Sequence, residues 1–261
     1  SALCYTSLRR LSSRTRSQTS HSLYSSLKRH FEPHSTLGDH HGRKELKFEI
    51  MAALTPANVN PLHEVISQMG KDGWEHLYQK DIKPWDQGVV APALAGLIAE
   101  GVLPNGIAVV PGCGFGYDIA ALASEKRKVI GLDIAESAVA QASKNIEGTH
   151  NAEIRLADFF TLDLDGQVDL LYDYTFLCAL PPTMRDQWAD KVTALLKSGA
   201  VLVTLMFPLV DLEGGPPFTL SVEIYKELLE HRGFELTRLD DSIKSFPNRQ
   251  GKEKLGLWKK K

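Results

Sequence analysis

Cysteine is scarce in this sequence: only Cys4, Cys113 and Cys178 among 261 residues. Three cysteines cannot build a disulfide framework, and no Cys-x-x-Cys pair is present to found a zinc site. A reducing compartment is the simplest reading, which makes the cytoplasm the expected location. Long apolar runs are also missing. The longest, Gly199 to Val210, falls well short of the ~20 residues that span a bilayer, so no membrane association is expected. The formal net charge is −2, and no global field draws in nucleic acid or an anionic surface. There is no internal repeat. No His–Asp or Ser–His pairing falls in a motif, so the sequence advertises no strong general base.

One absence is local. From Ser1 to Phe31 there is no acidic residue, while Arg9, Arg10, Arg14, Arg16, Lys28 and Arg29 are basic and serine is dense. Residues 1–50 hold nine Lys and Arg against four Asp and Glu. That composition is that of an organelle transit peptide. The other reading is an untemplated leader, with Met51 opening MAALTPANVN as an ordinary start. On either reading residues 1–50 should lack a packed core, and organelle import follows only from the first. His30, His34, His40 and His41 have no regular ligand spacing and are read as solvated.

What remains, residues 51–261, reads as one domain. Hydrophobic residues make up 43% of the chain and charged residues 24%, as in ordinary soluble proteins. Strands are expected at Ile107–Pro111, Lys128–Asp133, Glu153–Leu156, Val168–Tyr172, Ala200–Phe207, Phe234–Leu239 and Leu255–Trp258. Helical patterns fall at Asp118–Ser124, Glu136–Ile146, Thr183–Leu196 and Val222–His231. Strands alternating with helices predict an α/β fold, a doubly wound and mostly parallel sheet. The lysine-rich end, with Lys252, Lys254, Lys259, Lys260 and Lys261, reads as a solvated terminus.

Chemistry enters with VVPGCGFGYD, Val109 to Asp118. Gly112, Gly114 and Gly116 follow a strand and precede a helix, where glycine lets a ligand lie against the backbone. Asp133 ends the next strand, where an acid can take both hydroxyls of a ribose. The bland alternative is a tight turn and an exposed acid. The spacing is Gly-x-Gly-x-Gly and lacks the last glycine of the dinucleotide fingerprint. That favours S-adenosylmethionine, which has no pyrophosphate to seat at a helix end. Asp158 can accept from an adenine amino group and Phe159 can cover the ring; as an alternative they are a cap and a core residue. Trp74, Tyr78 and Trp85, the last held by Pro84, offer aromatic faces to a sulfonium. Trp74 and Tyr78 also have the spacing of a plain apolar helix face. Tyr174, directly after the fourth strand, would sit beside the sulfonium. Cys178, in apolar company, reads as a buried inert thiol.

These stretches together resemble the thiopurine methyltransferase family, and within it the plant-type thiol and halide methyltransferases. The resemblance runs from about Asn58 to Lys261 through GWEHLYQKDIKPWDQG, VPGCGFGYD, VIGLDIAESA, ADFF, DYTFLCALPPTMRDQWA, LVTLMFP, GGPPF and GKEKLGLWKK. It implies a Rossmann-like class I methyltransferase fold and S-adenosylmethionine as cofactor. It also implies methyl transfer to iodide, bromide, chloride, bisulfide, thiocyanate or small thiols. Carried over by position, the cofactor contacts are Trp74, Tyr78, Trp85, Gly112, Asp133, Asp158, Phe159 and Tyr174, with Tyr174 also reckoned catalytic. The family has tryptophan where this chain has Tyr78. Arg185 matches an arginine near substrate in the thiopurine branch and is the second catalytic candidate; its alternative is a surface ion pair. The resemblance leaves two other functions open: methylation of bulkier aromatic thiols, and nicotinamide oxidoreduction on a similar sheet. A monomer acting on a small anionic or thiol substrate is expected.

Overall fold

The computed structural model of the protein describes residues 61–261; the leader reading and its four histidines lie outside the described residues. Two short helices come first, α1 (Pro61–Met69) and α2 (Asp72–Gln79). A third, α3 (Pro92–Glu100), begins with proline, whose missing N–H costs nothing there, and ends at Gly101 with φ +69°. Then strands and helices alternate: β1 (Gly106–Pro111), α4 (Tyr117–Leu122), β2 (Arg127–Asp133), α5 (Glu136–Asn145), β3 (Ala152–Leu156) and β4 (Val168–Tyr174). The order continues with α6 (Arg185–Leu195), β5 (Leu196–Met206), α7 (Val222–Leu229), β6 (Phe234–Asp240) and β7 (Lys254–Lys260). Ser221 caps α7, its hydroxyl accepting from Ile224 N at 3.2 Å.

The seven strands form one sheet in the order β3-β2-β1-β4-β5-β7-β6. The first five are parallel, and β7 runs antiparallel to both β5 and β6. This is the expected doubly wound, mostly parallel sheet. Successive residues point to opposite faces, and the core divides accordingly. Val109, Leu171 and Leu202 pack with Trp188, Val192, Tyr225 and Leu229 from α6 and α7. Ala108, Val110, Tyr172 and Val203 pack with Leu94, Leu97, Ile119 and Leu122 from α3 and α4.

Two expectations need correction. The helix read over Thr183–Leu196 is a short 3-10 turn, Pro182–Met184, followed by α6, and β5 starts at Leu196 rather than Ala200. Lys197, Ser198 and Gly199 are exposed and carry no strand pattern. Leu196 joins the sheet opposite Val168 before a register shift resumes the ladder at Val201. The lysine-rich end is not simply solvated either. Lys260 Nζ donates to Thr193 O at 2.5 Å and Leu196 O at 2.8 Å, satisfying carbonyls at the end of α6. No described helix is long and apolar enough to cross a membrane.

Candidate active site

β1 and β4 are neighbours, and the chain leaves them toward opposite edges of the sheet. Ligands of such sheets bind beyond the strands' carboxyl ends at that reversal. The loop after β1 is built for close approach. Gly112 has φ +55°, and a Cβ there would stand 2.7 Å from the Phe176 ring, so only glycine fits. Gly114 N donates to Asp133 Oδ2 and Ala135 N to Oδ1, each at 3.0 Å. Asp133 thus ties the glycine loop to the end of β2. It is 8% exposed, and burial pushes its carboxyl up to about 6 against the lowering effect of those N–H bonds.

Two cavities flank this tie. The larger, about 500 Å³, is lined by α2 residues, by Ile134 and Glu136, and by Leu156, Ala157 and Asp158 after β3. Met69, Ile134 and Leu156 on its wall are all exposed large apolar side chains. Asp158 borders it while its Oδ1 accepts from Phe160 N at 3.0 Å, so this residue caps and lines at once. The opposite wall is held in place by Glu75, which accepts from Ser137 N at 2.9 Å and Ser137 Oγ at 2.6 Å. Its carboxyl is lowered by those bonds, which outweigh the opposing effect of burial.

The smaller cavity, about 80 Å³, is walled by aromatic rings: Tyr78, Trp85, Phe115, Tyr117, Tyr172, Tyr174 and Phe246. Gly112, Gly114 and Asp118 complete the side nearest the sheet. Trp85 is braced from two sides. Its ring meets Trp74 edge-on at 5.3 Å and Tyr78 edge-on at 5.5 Å, and its Nε1 donates to the Tyr78 hydroxyl at 3.2 Å. Trp74 and Tyr78 thus share one face of α2, and both pack on Trp85. Tyr174 donates its hydroxyl proton to Glu253 Oε1 at 2.6 Å. Arg249 lies over the rings of Tyr174 and Phe207, at 4.8 and 4.5 Å, and its Nη2 donates to Trp85 O at 2.8 Å. Its Nη1 stands 3.9 Å from Glu253, an ion-pair separation too long for a hydrogen bond.

Six of the expected residues gather here: Tyr78, Trp85, Gly112 and Tyr174 on the smaller cavity, Asp158 on the larger, Asp133 between their linings. Trp74 joins through Trp85. Phe159 and Arg185 are not on either wall. The Phe159 ring is 2% exposed and packs on Phe160 and Phe176 in the core. Arg185 Nη2 donates to Thr219 O at 2.8 Å, so this side chain anchors the segment after the Gly214–Phe218 loop. Cys178 is 3% exposed, and burial pushes its thiol far up. Asp118 and Tyr172 also line the smaller cavity, Arg249 and Glu253 brace its Trp85 and Tyr174, and none of the four was singled out by sequence. Asp118 lay inside the glycine motif, and Tyr172 lies two residues before Tyr174 on the same face of β4. Arg249 and Glu253 arrive from far along the chain and carry no local signal.

With this geometry in view, comparison with known proteins gives a consistent answer. A family description, thiopurine S-methyltransferase, matches residues 69–261. A probable thiol methyltransferase 2 from Arabidopsis thaliana is 43% identical over 201 residues, covering 76% of this chain and 89% of that protein. A thiocyanate methyltransferase 1 from the same plant is 42% identical over 202 residues, covering 76% and 88%. Among solved structures, the Burkholderia thailandensis 1,6-didemethyltoxoflavin-N1-methyltransferase shares the fold at TM-score 0.58 and 18% identity, covering 79% of this chain and 94% of that one. The chain belongs to the thiopurine S-methyltransferase family.

Proposed function

We propose that the protein transfers the methyl group of S-adenosylmethionine to small soft anions (halides, bisulfide, thiocyanate) or to small thiols. Dependence on that donor, and methyl transfer to a thiol or anion, follow from the family and from relatives of known name. The choice of small acceptors is carried by one observation, the size and lining of the ring-walled cavity. At about 80 Å³ it is far below the ~300–1,000 Å³ of pockets that enclose drug-sized ligands. A fused aromatic thiol has no room there, whereas a halide or thiocyanate does.

The residues fit the donor. Ile134, Leu156 and Met69 offer apolar surface to a purine, and Asp158 an acceptor to its amino group. Asp133 stands where a ribose would bridge the two cavities, and Gly112 and Gly114 let the chain lie close. When bound, the donor supplies a methyl group activated by a positively charged sulfur. The protein's part is to align the partners and keep water away. Alignment at near-attack distance contributes roughly 7–11 kcal/mol. Trp85, Tyr78 and Tyr174 wall the methyl-transfer position with rings, whose faces attract the donor's sulfonium and which keep water from a weakly hydrated acceptor. An acceptor that is already anionic, or that ionises readily, needs no general base. Arg185 serves this site at one remove, by fixing the loop that Thr219 ends.

The test is a headspace assay with S-adenosylmethionine supplied. Methyl iodide, methanethiol and methyl thiocyanate should form from iodide, bisulfide and thiocyanate, with little methylation of an aryl thiol. Turnover confined to the aryl thiol would refute the small-acceptor reading.

A further inference from the structure

The ring-walled cavity is a gap between walls of different origin. Tyr174 ends β4, which lies between β1 and β5 in the sheet. Trp85 belongs to the segment joining α2 to α3, which is neither helix nor strand. Among the described residues, the hydrogen bonds of residues 82–90 stay within that segment or return to α2, with one exception. Ile82 N donates to Leu77 O, Trp85 Nε1 to the Tyr78 hydroxyl, Asp86 N to Lys83 O and Gly88 N to Asp86 Oδ1, while Lys83 Nζ pairs with Asp81. The exception is the Trp85 carbonyl, which accepts from Arg249 Nη2 at 2.8 Å.

Arg249 arrives from the far end of the chain. It closes the 3-10 turn Pro247–Arg249 between β6 and β7, three residues after Phe246 on the cavity wall. Its backbone is fixed, with its N donating to Phe246 O at 2.9 Å and its O accepting from Lys252 N at 3.0 Å. The guanidinium that holds Trp85 also lies over the Tyr174 ring at 4.8 Å. One planar group therefore touches both walls, by a hydrogen bond on one side and a ring contact on the other. It does so at a cost, since its Nη1 is buried with no hydrogen-bond partner, and an orphaned buried donor calls for a reason. A side chain ending in a single nitrogen would reach one wall or the other, without the flat fork that spans both.

We infer that Arg249 is a positioning residue that sets the distance between Trp85 and Tyr174, and through it the size of acceptor that the enzyme methylates. The inference rests on the small-acceptor reading above and names the group that enforces it. Arg249 lines neither cavity, so it acts through the two rings and not on the acceptor. Glu253 fixes the ring on which Arg249 rests, accepting the Tyr174 hydroxyl at 2.6 Å. Without Arg249 the Trp85 segment keeps its ties to α2 and loses its hydrogen bond to the sheet's side of the site. The gap then widens, and an acceptor as broad as an aromatic ring gains entry.

The experiment compares iodide with thiophenolate. Both are anions, so the ratio of their kcat/KM values reads size and not charge. The wild-type protein should favour iodide. Arg249→Met keeps an unbranched side chain between the rings and deletes the hydrogen bond, and the ratio should move about tenfold or more toward thiophenolate. That variant leaves the buried Glu253 without its ion-pair partner. The paired variant, Arg249→Met with Glu253→Gln, retains an oxygen for the Tyr174 hydroxyl and decides the matter if the first does not fold. S-adenosylhomocysteine affinity, read by calorimetry, should stay within about twofold of the wild type, which separates a loosened acceptor wall from a damaged donor site. An unchanged ratio, whether both rates fall or neither does, would overturn the assignment of Arg249 and leave the small-acceptor reading standing. So would a loss of S-adenosylhomocysteine binding as large as the loss of turnover. A wild-type protein active on thiophenolate and not on iodide would overturn the small-acceptor reading itself.

Discussion

Asp133 has both oxygens engaged by backbone N–H groups, and in the function proposed above it is the acid that receives a ribose. Each carboxylate oxygen can accept more than once, so those bonds orient the group without exhausting it. Replacing it with alanine should weaken S-adenosylmethionine binding more than tenfold, as two charge-assisted bonds go; calorimetry on the folded variant measures this, and unchanged affinity would remove Asp133 from the site. Since acceptance favours the ionised form, donor affinity should also fall as the pH drops through about 6. Tyr174→Phe probes the other cavity. Its hydroxyl is the short partner of Glu253, which is 5% exposed, so the variant should lose about 1–3 kcal/mol in urea titration. Turnover with iodide should fall while the fold is retained; equal turnover would confine Tyr174 to packing. At this scale the positions legible in short motifs, Gly112, Asp158 and Tyr174, line the two cavities, and Asp133 holds the glycine loop beside them. Sequence reading misplaced the Phe159 ring because one face of a strand-end loop cannot be told from the other without the core it meets. It could not see Arg249, whose meaning depends on a contact 164 residues away with the Trp85 carbonyl.

Among the elements, the junction of β4 with α6 carries the site. Asp173 is fully buried next to Tyr174, and burial pushes its carboxyl up to about 6. Trp188 Nε1 on α6 donates to its Oδ2 at 2.9 Å, and Leu177 N donates to Oδ1 at 3.2 Å. The indole thus holds the strand end that presents Tyr174. Trp188→Phe deletes that donor and also one ring of a fully buried indole, so at least about 1–3 kcal/mol of stability should be lost. A denaturation midpoint within error of the wild type would show the bond to be dispensable. The inner strands of the parallel part were readable because they are largely buried on both faces and appear as apolar runs. α1 and α3 were not anticipated: α3 is apolar almost all round, PALAGLIAE, and short apolar runs do not reveal their period.

For the molecule as a whole, three buried acids set an unusual pH response. Asp118, Asp133 and Asp173 are each pushed by burial from the ordinary 3.8 to about 6. Between those values the folded protein binds more protons than the unfolded chain, so stability rises as the pH falls through that window. Carboxylates held low by surface pairs, such as Glu153 beside Arg155 and Lys128 at about 2, act in the opposite direction, and their contribution fades only below the ordinary carboxylate range. The donor-free protein should therefore melt at a higher temperature near pH 5 than near pH 7.5, as scanning calorimetry can establish. A melting temperature that stays level or rises from pH 5 to pH 7.5 would contradict the burial of these acids.

The order β5-β7-β6 has a consequence for how the protein is made. β6 touches the rest of the sheet only through β7, which is formed by residues 254–260. While the chain is still on the ribosome and has not yet been extended that far, β5 has an open flank and β6 has nowhere to dock. Closure of the sheet must then wait for translation to reach Lys260, and a nascent chain stalled earlier would expose two bare strand edges to chaperones and to its own neighbours.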